Sequence, residues 1–243
     1  MILSYDIETY EFDSVNNIYK PILDARKFVL GLVKSSCGTH RKFFTNADEM
    51  FEFIIDIIEK RASYGRRTFV YGHNAEYDFY GIARKHFLNN KLKYVMFHPF
   101  LAIWGTHGYF CDSMAFYRMS LAQLGEMLGF SKSELPMEIS DISELGEYLE
   151  RDVDIVLKGI TELKSRLSVL GFRPSKLLTA GQLSMTAFRS YCRKNYTEKY
   201  FTEYDTKRKC RVIVKTKYDK LLREAYRGGD NQALQIGKFD GVT

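Results

Sequence analysis

Short apolar runs separated by polar turns fill the first 112 positions, and apolar residues at helical spacing dominate from about position 120. Ile2 to Ile7 reads as a buried strand with Asp6 and Glu8 at its C-terminal end. Lys27–Lys34 and Arg41–Thr45 are further strand candidates. Asn46 is placed to cap a helix whose Met50, Phe51, Ile54, Ile55 and Ile58 share one face. Thr68–Tyr71 predicts another buried strand, followed at once by Gly72, His73 and Asn74 and then a helix over Glu76–Leu88. Three strand-like runs come next, at Lys93–Phe97, Ala102–Gly105 and Tyr109–Asp112. A helix from Ser120, a polar loop over Ser131–Pro136 and a long amphipathic stretch from Glu144 to Leu170 complete the pattern. Gly171 and Pro174 end that stretch and mark a boundary. Beyond it lie a helix near Gln182–Lys194, the basic run KRKCRVIVKTK, a short helix near Tyr218–Ala225 and the turn YRGGD. This order predicts an α/β domain with a mixed sheet flanked by helices over residues 1–172, and a basic, mostly helical extension over residues 173–243.

Composition narrows the class. A hydrophobic fraction of 45% and an aromatic fraction of 15% supply a sizeable core, and no run approaches the roughly 20 apolar residues of a membrane span. The opening MILSYDIETY lacks the basic start and longer apolar run of a secretory signal, so an intracellular protein is expected, with no membrane partner. Cys37, Cys111, Cys192 and Cys210 are far apart and form neither a zinc motif nor a disulfide framework. The net charge of +6 is unevenly spread. Residues from Gly171 onward hold sixteen Lys/Arg and seven Asp/Glu, against twenty and twenty-three before them. A basic C-terminal third fits a polyanion, although a solvated lysine-rich surface fits it equally.

Three acidic patterns carry the candidate chemistry. Two-metal phosphodiester hydrolysis gathers carboxylates around divalent ions about 4 Å apart, and hard oxygen ligands suit Mg²⁺ or Mn²⁺. In Asp6-Ile7-Glu8-Thr9, strand alternation sends both acids to one face. In Tyr71-Gly72-His73-Asn74-Ala75-Glu76-Tyr77-Asp78, an apolar strand runs into a helix start that carries Asp78. In Tyr148-Leu149-Glu150-Arg151-Asp152, the tyrosine and the aspartate lie four apart on one helical face. Each has a plainer reading when taken alone. The first fits an ordinary strand exit, the second an Asn74 N-cap with Asp78 beside the helix N-terminus, and the third a half-buried tyrosine near a surface acid.

Taken in order, DxE, NxxxD and YxxxD resemble the three motifs of the DEDDy class of 3′→5′ exonucleases, which has an RNase H-like (DnaQ-like) fold. A histidine of the sister class would stand at residue 147, which is Glu147. Asp112-Ser113-Met114 with LAQLGEMLG resembles a segment of family B DNA polymerases. Thr179-Ala180-Gly181 and Ala225-Tyr226-Arg227-Gly228-Gly229 resemble segments of the protein-primed, phage-type branch.

The resemblance implies a proofreading exonuclease acting on single-stranded or frayed DNA 3′ ends. Asp6, Glu8, Asp78 and Asp152 would be metal ligands, and Tyr148 would orient the attacking water. Thr9, His73, Asn74, Tyr77, Ser113 and Met114 would contact the 3′ strand. It further implies a polymerase domain and a terminal priming protein as partners, in a virus or mobile element. Tyr226, Arg227, Gly228 and Gly229 would form a template-contacting linker. The plainer reading of that last segment is a surface turn, against which stand its close-approach glycines, its guanidinium fork and its stacking ring. One departure stands out: the family lysine that supports the scissile phosphate is absent from Ala122–Gly125, which leaves that role unassigned. The polymerase segments DxxSLYP and YxDTD are also absent, so no polymerase activity is expected from these residues. A non-catalytic DNA-binding subunit of a split polymerase and a DEDDy exoribonuclease are the competing readings.

Overall fold

The computed structural model describes residues 1–96, 100–195, 202–205 and 210–213; Tyr226, Arg227, Gly228 and Gly229, with the expected 218–225 helix, lie outside the described residues. The chain divides into two compact units, Met1–Met185 and Thr186–Thr243.

The first unit is built on one eight-stranded mixed sheet. Its strands are β1 (Ile2–Asp13), β2 (Ile18–Pro21), β3 (Phe28–Ser35), β4 (Arg41–Phe44), β5 (Thr68–Gly72), β6 (Leu92–Met96), β7 (Leu101–Trp104) and β8 (Gly108–Asp112). The spatial order is β4-β3-β1-β5-β8-β7-β6, with β2 paired to the far half of β1. β1, β5 and β8 run parallel at the centre, β3 and β7 flank them antiparallel, and the outer strands β4 and β6 each pair antiparallel to those. Helices α1 (Ala47–Ala62) and α2 (Ala75–Ala83) follow β4 and β5 in the chain. They are succeeded by α3 (Leu121–Met127), α4 (Leu145–Val169) and α5 (Ala180–Asn195). Among the described residues of the second unit, β9 (Thr202–Asp205) pairs antiparallel with β10 (Cys210–Ile213).

Alternation along β1 divides the core in two. Leu3, Tyr5 and Ile7 face a cluster with α1 and α2, while Ile2 and Tyr10 face a second cluster with α4. α1 forms as its pattern predicts: Asn46 accepts from the N–H groups of Asp48 and Glu49, and Met50, Phe51, Ile54, Ile55 and Ile58 are buried. Phe51 is the hub of the first cluster, packed on Phe79, Trp104 and Phe110 at ring separations of 5.6–6.3 Å. α4 buries Leu145, Leu149, Val153, Val156 and Ile160 against the other face, and Gly171 ends it in the left-handed region at φ 72°. After that turn, Leu177 is buried in the same cluster, and the Tyr71 hydroxyl donates to its carbonyl at 2.5 Å.

The extension, expected to be mostly helical, holds the β9–β10 pair among its described residues, and two elements of the first unit also differ from expectation. β1 runs to Asp13 rather than stopping at Ile7, because Tyr10–Asp13 pair with Ile18–Pro21, a short polar strand without alternation to reveal it. The helix after Asn74 is Ala75–Ala83, shorter than Glu76–Leu88, and a single 3-10 turn takes over at Arg84–His86.

Removing the Phe51 ring should open a cavity between α1 and the sheet. Phe51→Ala is expected to cost about 3–5 kcal/mol, measured as a lowered urea midpoint. A loss below about 1 kcal/mol would mean the hub collapses around the gap or does not carry the packing.

Candidate active site

Three elements converge on one spot. β1 sends Asp6 and Glu8 to the α4 side of the sheet, the face that also takes Ile2 and Tyr10. α4 crosses that face and brings Asp152 to them, so that oxygens of Asp6, Glu8 and Asp152 all lie within 4.8 Å of one another. Asp78, in the first turn of α2, adjoins Asp6. Gly72 keeps the strand-to-helix turn tight, since a Cβ there would stand 3.0 Å from the Ala75 Cβ and 3.2 Å from its Cα. Tyr148, one turn before Asp152, puts its hydroxyl beside the same carboxylates. A bulge in the β1–β3 ladder falls between Glu8 and Thr9, at the edge of the group.

Sequence reading missed Lys132. Its ammonium pairs with Asp152 Oδ2 and lies 4.6 Å from the centre of the Tyr148 ring. It comes from the irregular segment after α3, beyond the Ala122–Gly125 window in which a lysine was sought. Periodicity could not have found it; the only sequence signal was a basic residue between two motifs.

The electrostatics are those of a crowded acid cluster. Burial, then the neighbouring Asp152, pushes Asp6 up to about 7, and burial with Asp6 and Asp152 pushes Glu8 up to about 9. Asp78 is pushed well up by burial and then by Asp6 and Glu8, while Asp152 is raised by burial and held back by Lys132. Burial and the same acids drive the Tyr148 hydroxyl upward, so it stays a protonated donor. Flanking Asp152 on α4, Glu150 and Asp154 meet Lys34 at 2.8 Å and 2.6 Å, and Arg41 forks onto Glu150. This network brackets Asp152 and ties α4 to β3 and β4.

The expected strand contacts gather at the C-terminal ends of the parallel strands, where open α/β sheets place their ligands. His73 sets its Nε2 3.0 Å from the Met119 carbonyl, so that nitrogen carries the proton and Nδ1 accepts from the Ser113 hydroxyl at 2.8 Å. Burial lowers the His73 pKa, which keeps the ring neutral. Ser113 is fully buried, so it stands behind His73 rather than offering a direct contact. Asn74 is exposed in the left-handed region at φ 58°, and its side chain does not cap α2 as the plainer reading supposed. Asp112, read from the sequence as part of a motif but given no role of its own, holds that turn by accepting from the N–H groups of Asn74 at 3.0 Å and Met114 at 2.9 Å. Thr9 donates to the Ile22 carbonyl and accepts from the Tyr77 hydroxyl at 2.9 Å. Met114 is partly exposed.

No protein-family model matches the chain, and no curated protein matches it in sequence. Solved structures do match in fold. Phi29 DNA polymerase complexed with single-stranded DNA superposes with a TM-score of 0.54 at 14% identity over 82% of this chain and 36% of that one. Phi29 DNA polymerase with primer-template DNA gives 0.56 at 16% identity over 94% and 40%. Its complex with primer-template DNA and incoming nucleotide gives 0.54 at 12% identity over 82% and 36%. The chain therefore spans about two-fifths or less of the polymerase chains whose fold it shares. Among the described residues, no helix is long and apolar enough to cross a membrane.

The donor set fits divalent cations. All four acids offer hard oxygens, and Asp152 Oδ1 is buried with no hydrogen-bond partner. Groups whose folded pKa is raised stabilise the fold below their unfolded value near 4 and lose that contribution as pH rises through the folded value. For Asp6 and Glu8 the loss runs from about pH 4 to about 7 and 9. Glu8→Gln should therefore melt above the parent in chelator at pH 9, by roughly 2–4 °C per kcal/mol relieved, with the gap narrowing toward pH 5. Thermal melts across that range check it, and a variant less stable than the parent at pH 9 contradicts the acid crowding.

Proposed function

We propose that this chain is a DEDDy 3′→5′ exonuclease with an RNase H-like core, acting on single-stranded or frayed DNA 3′ ends in the manner of a proofreading domain of a protein-primed family B polymerase. One observation carries the reading: oxygens of Asp6, Glu8 and Asp152 lie within 4.8 Å of one another, with Asp78 next to Asp6, the Tyr148 hydroxyl beside the group and the Lys132 ammonium on Asp152. The shared fold with Phi29 DNA polymerase supports the family.

In this reading Asp6, Glu8, Asp78 and Asp152 hold two Mg²⁺ or Mn²⁺ ions. The ions, when bound, supply charge neutralisation at the scissile phosphate and a more acidic water. Tyr148, kept protonated by its acidic neighbours, orients that water through its hydroxyl. Lys132 takes the role of the family lysine that was missing from the Ala122–Gly125 window and offers its charge to the phosphate. Thr9, Asn74, Tyr77 and Met114 form the rim for the 3′ strand, with the neutral His73 braced by Ser113. Residues 1–172 would be the exonuclease domain. Residues 173–243 would lead toward a polymerase domain, with Tyr226, Arg227, Gly228 and Gly229 as the template-contacting linker. A terminal priming protein would be a partner of the larger assembly.

Incubation with a 3′-labelled single strand in Mg²⁺ or Mn²⁺ is expected to release mononucleotides. Asp6→Ala with Asp78→Ala should abolish release while the far-UV CD stays native. Lys132→Ala should lower kcat about 10²-fold. Undiminished digestion by the double variant would remove the site assignment. Salt-sensitive strand binding with no release would instead favour the non-catalytic DNA-binding role, and faster digestion of a matched RNA would favour an exoribonuclease.

A further inference from the structure

We propose that Phe130 is the positioning residue for Lys132, clamped between two cations of α4 so that the segment after α3 delivers its ammonium to Asp152 and Tyr148. The inference rests on the exonuclease reading for its catalytic consequence, but not for its geometry.

Lys132 sits in a segment without regular secondary structure, so its position must be fixed by contacts rather than by a ladder of backbone bonds. Those contacts are on either side of it in the fold. Gly129, at φ 64°, turns the chain out of α3, and the Phe130 N–H donates back to the Gly125 carbonyl at 2.8 Å. A Cβ on Gly125 would stand 2.7 Å from the Phe130 carbonyl oxygen and 3.2 Å from the Lys132 nitrogen, so the segment lies flat against α3 where a side chain would lift it. The Phe130 ring then takes the Arg151 guanidinium 4.0 Å from its centre and the Lys158 ammonium 5.3 Å away. Lys158 also donates to the Leu128 carbonyl at 2.9 Å, which binds the end of α3 to the same helix.

Both cations on the ring belong to α4, and so do the two groups that Lys132 meets. Tyr148 and Asp152 lie on one stripe of the helix, Arg151 and Lys158 on the neighbouring stripe. The distance from Lys132 to its partners is therefore set by one rigid element and one ring. A ring that merely filled space would need no cation on it. Leucine at 130 should then serve as well as tyrosine, and under this proposal it does not.

The test uses the full chain with Phe130→Ala, Phe130→Leu and Phe130→Tyr, alone and with Lys132→Ala. In chelator, the Lys132 side-chain NMR resonances are expected to carry a ring-current shift from Tyr148, kept in Phe130→Tyr and lost in Phe130→Leu and Phe130→Ala. In Mg²⁺, the last two should lower exonuclease kcat about 10–100-fold with KM for a single-stranded oligonucleotide nearly unchanged. In the Lys132→Ala background the same changes should cost less than about 2-fold, because the group they position is gone. A Tyr148 ring-current shift retained on Lys132 in Phe130→Leu, or a full further loss of kcat in the Lys132→Ala background, overturns the proposal. If the parent chain releases no nucleotide while the resonances behave as expected, the exonuclease reading fails and the positioning by Phe130 stands.

Discussion

Like charges repel, and the fold must hold Asp6, Glu8, Asp78 and Asp152 together against that repulsion. Two full charges 4.8 Å apart cost about 3–4 kcal/mol at an effective dielectric near 20. The protein meets this partly with protons, retained on Glu8 up to about pH 9, and partly with the Lys132 ammonium. The remainder is offset by the apolar seam of α4, where Leu149, Val153, Val156 and Ile160 are buried at about 1.5–3 kcal/mol each. The seam shares α4 and one face of β1 with Asp6, Glu8 and Asp152, and the first turn of α2 adds Asp78. Packing that favours the fold thus forces the acids into proximity, and the repulsion becomes a standing attraction for cations.

Rigid elements carry the acids for the same reason. A carboxylate on a mobile loop would swing away from its neighbours, whereas Asp6 and Glu8 are fixed by the β1–β3 ladder, opposite Leu32 and Leu30. Asp152 is bracketed by the ties of Glu150 and Asp154 to Lys34. Around this fixed centre the strand ends supply turns that are themselves braced from within. The buried Asp112 holds Asn74 and Met114, and Ser113 holds His73. Exposed Asn74 sits in the left-handed region, which asparagine tolerates better than most non-glycine residues.

This arrangement explains what the sequence made legible. Periodicity reports which face a residue occupies, so the faces of Asp6, Glu8, Tyr148 and Asp152 could be read directly from strand and helix spacing. The sheet's central strands and α1 were visible for the same reason. β2 was not, since four residues with no alternation carry no such signal. Asp112 was seen as part of a motif but not as a clamp, because its role depends on backbone N–H groups that come from a turn 38 residues earlier. Lys132 escaped altogether: a loop residue has no period, and its place is decided by Phe130, Arg151 and Gly125.

The pairing of Lys132 with Asp152 raises the question of whether the ammonium would block the cation that the acids attract. The two oxygens of Asp152 answer it. Oδ2 is paired with Lys132, whereas Oδ1 is buried and has no hydrogen-bond partner. A buried carboxylate oxygen left in that state is costly, by roughly 1–3 kcal/mol or more for a charged group, unless something else satisfies it. Lys132 therefore lowers the repulsion among the acids from one side without taking the oxygen that an ion would need. The two kinds of positive charge are complementary at Asp152 rather than rivals for it.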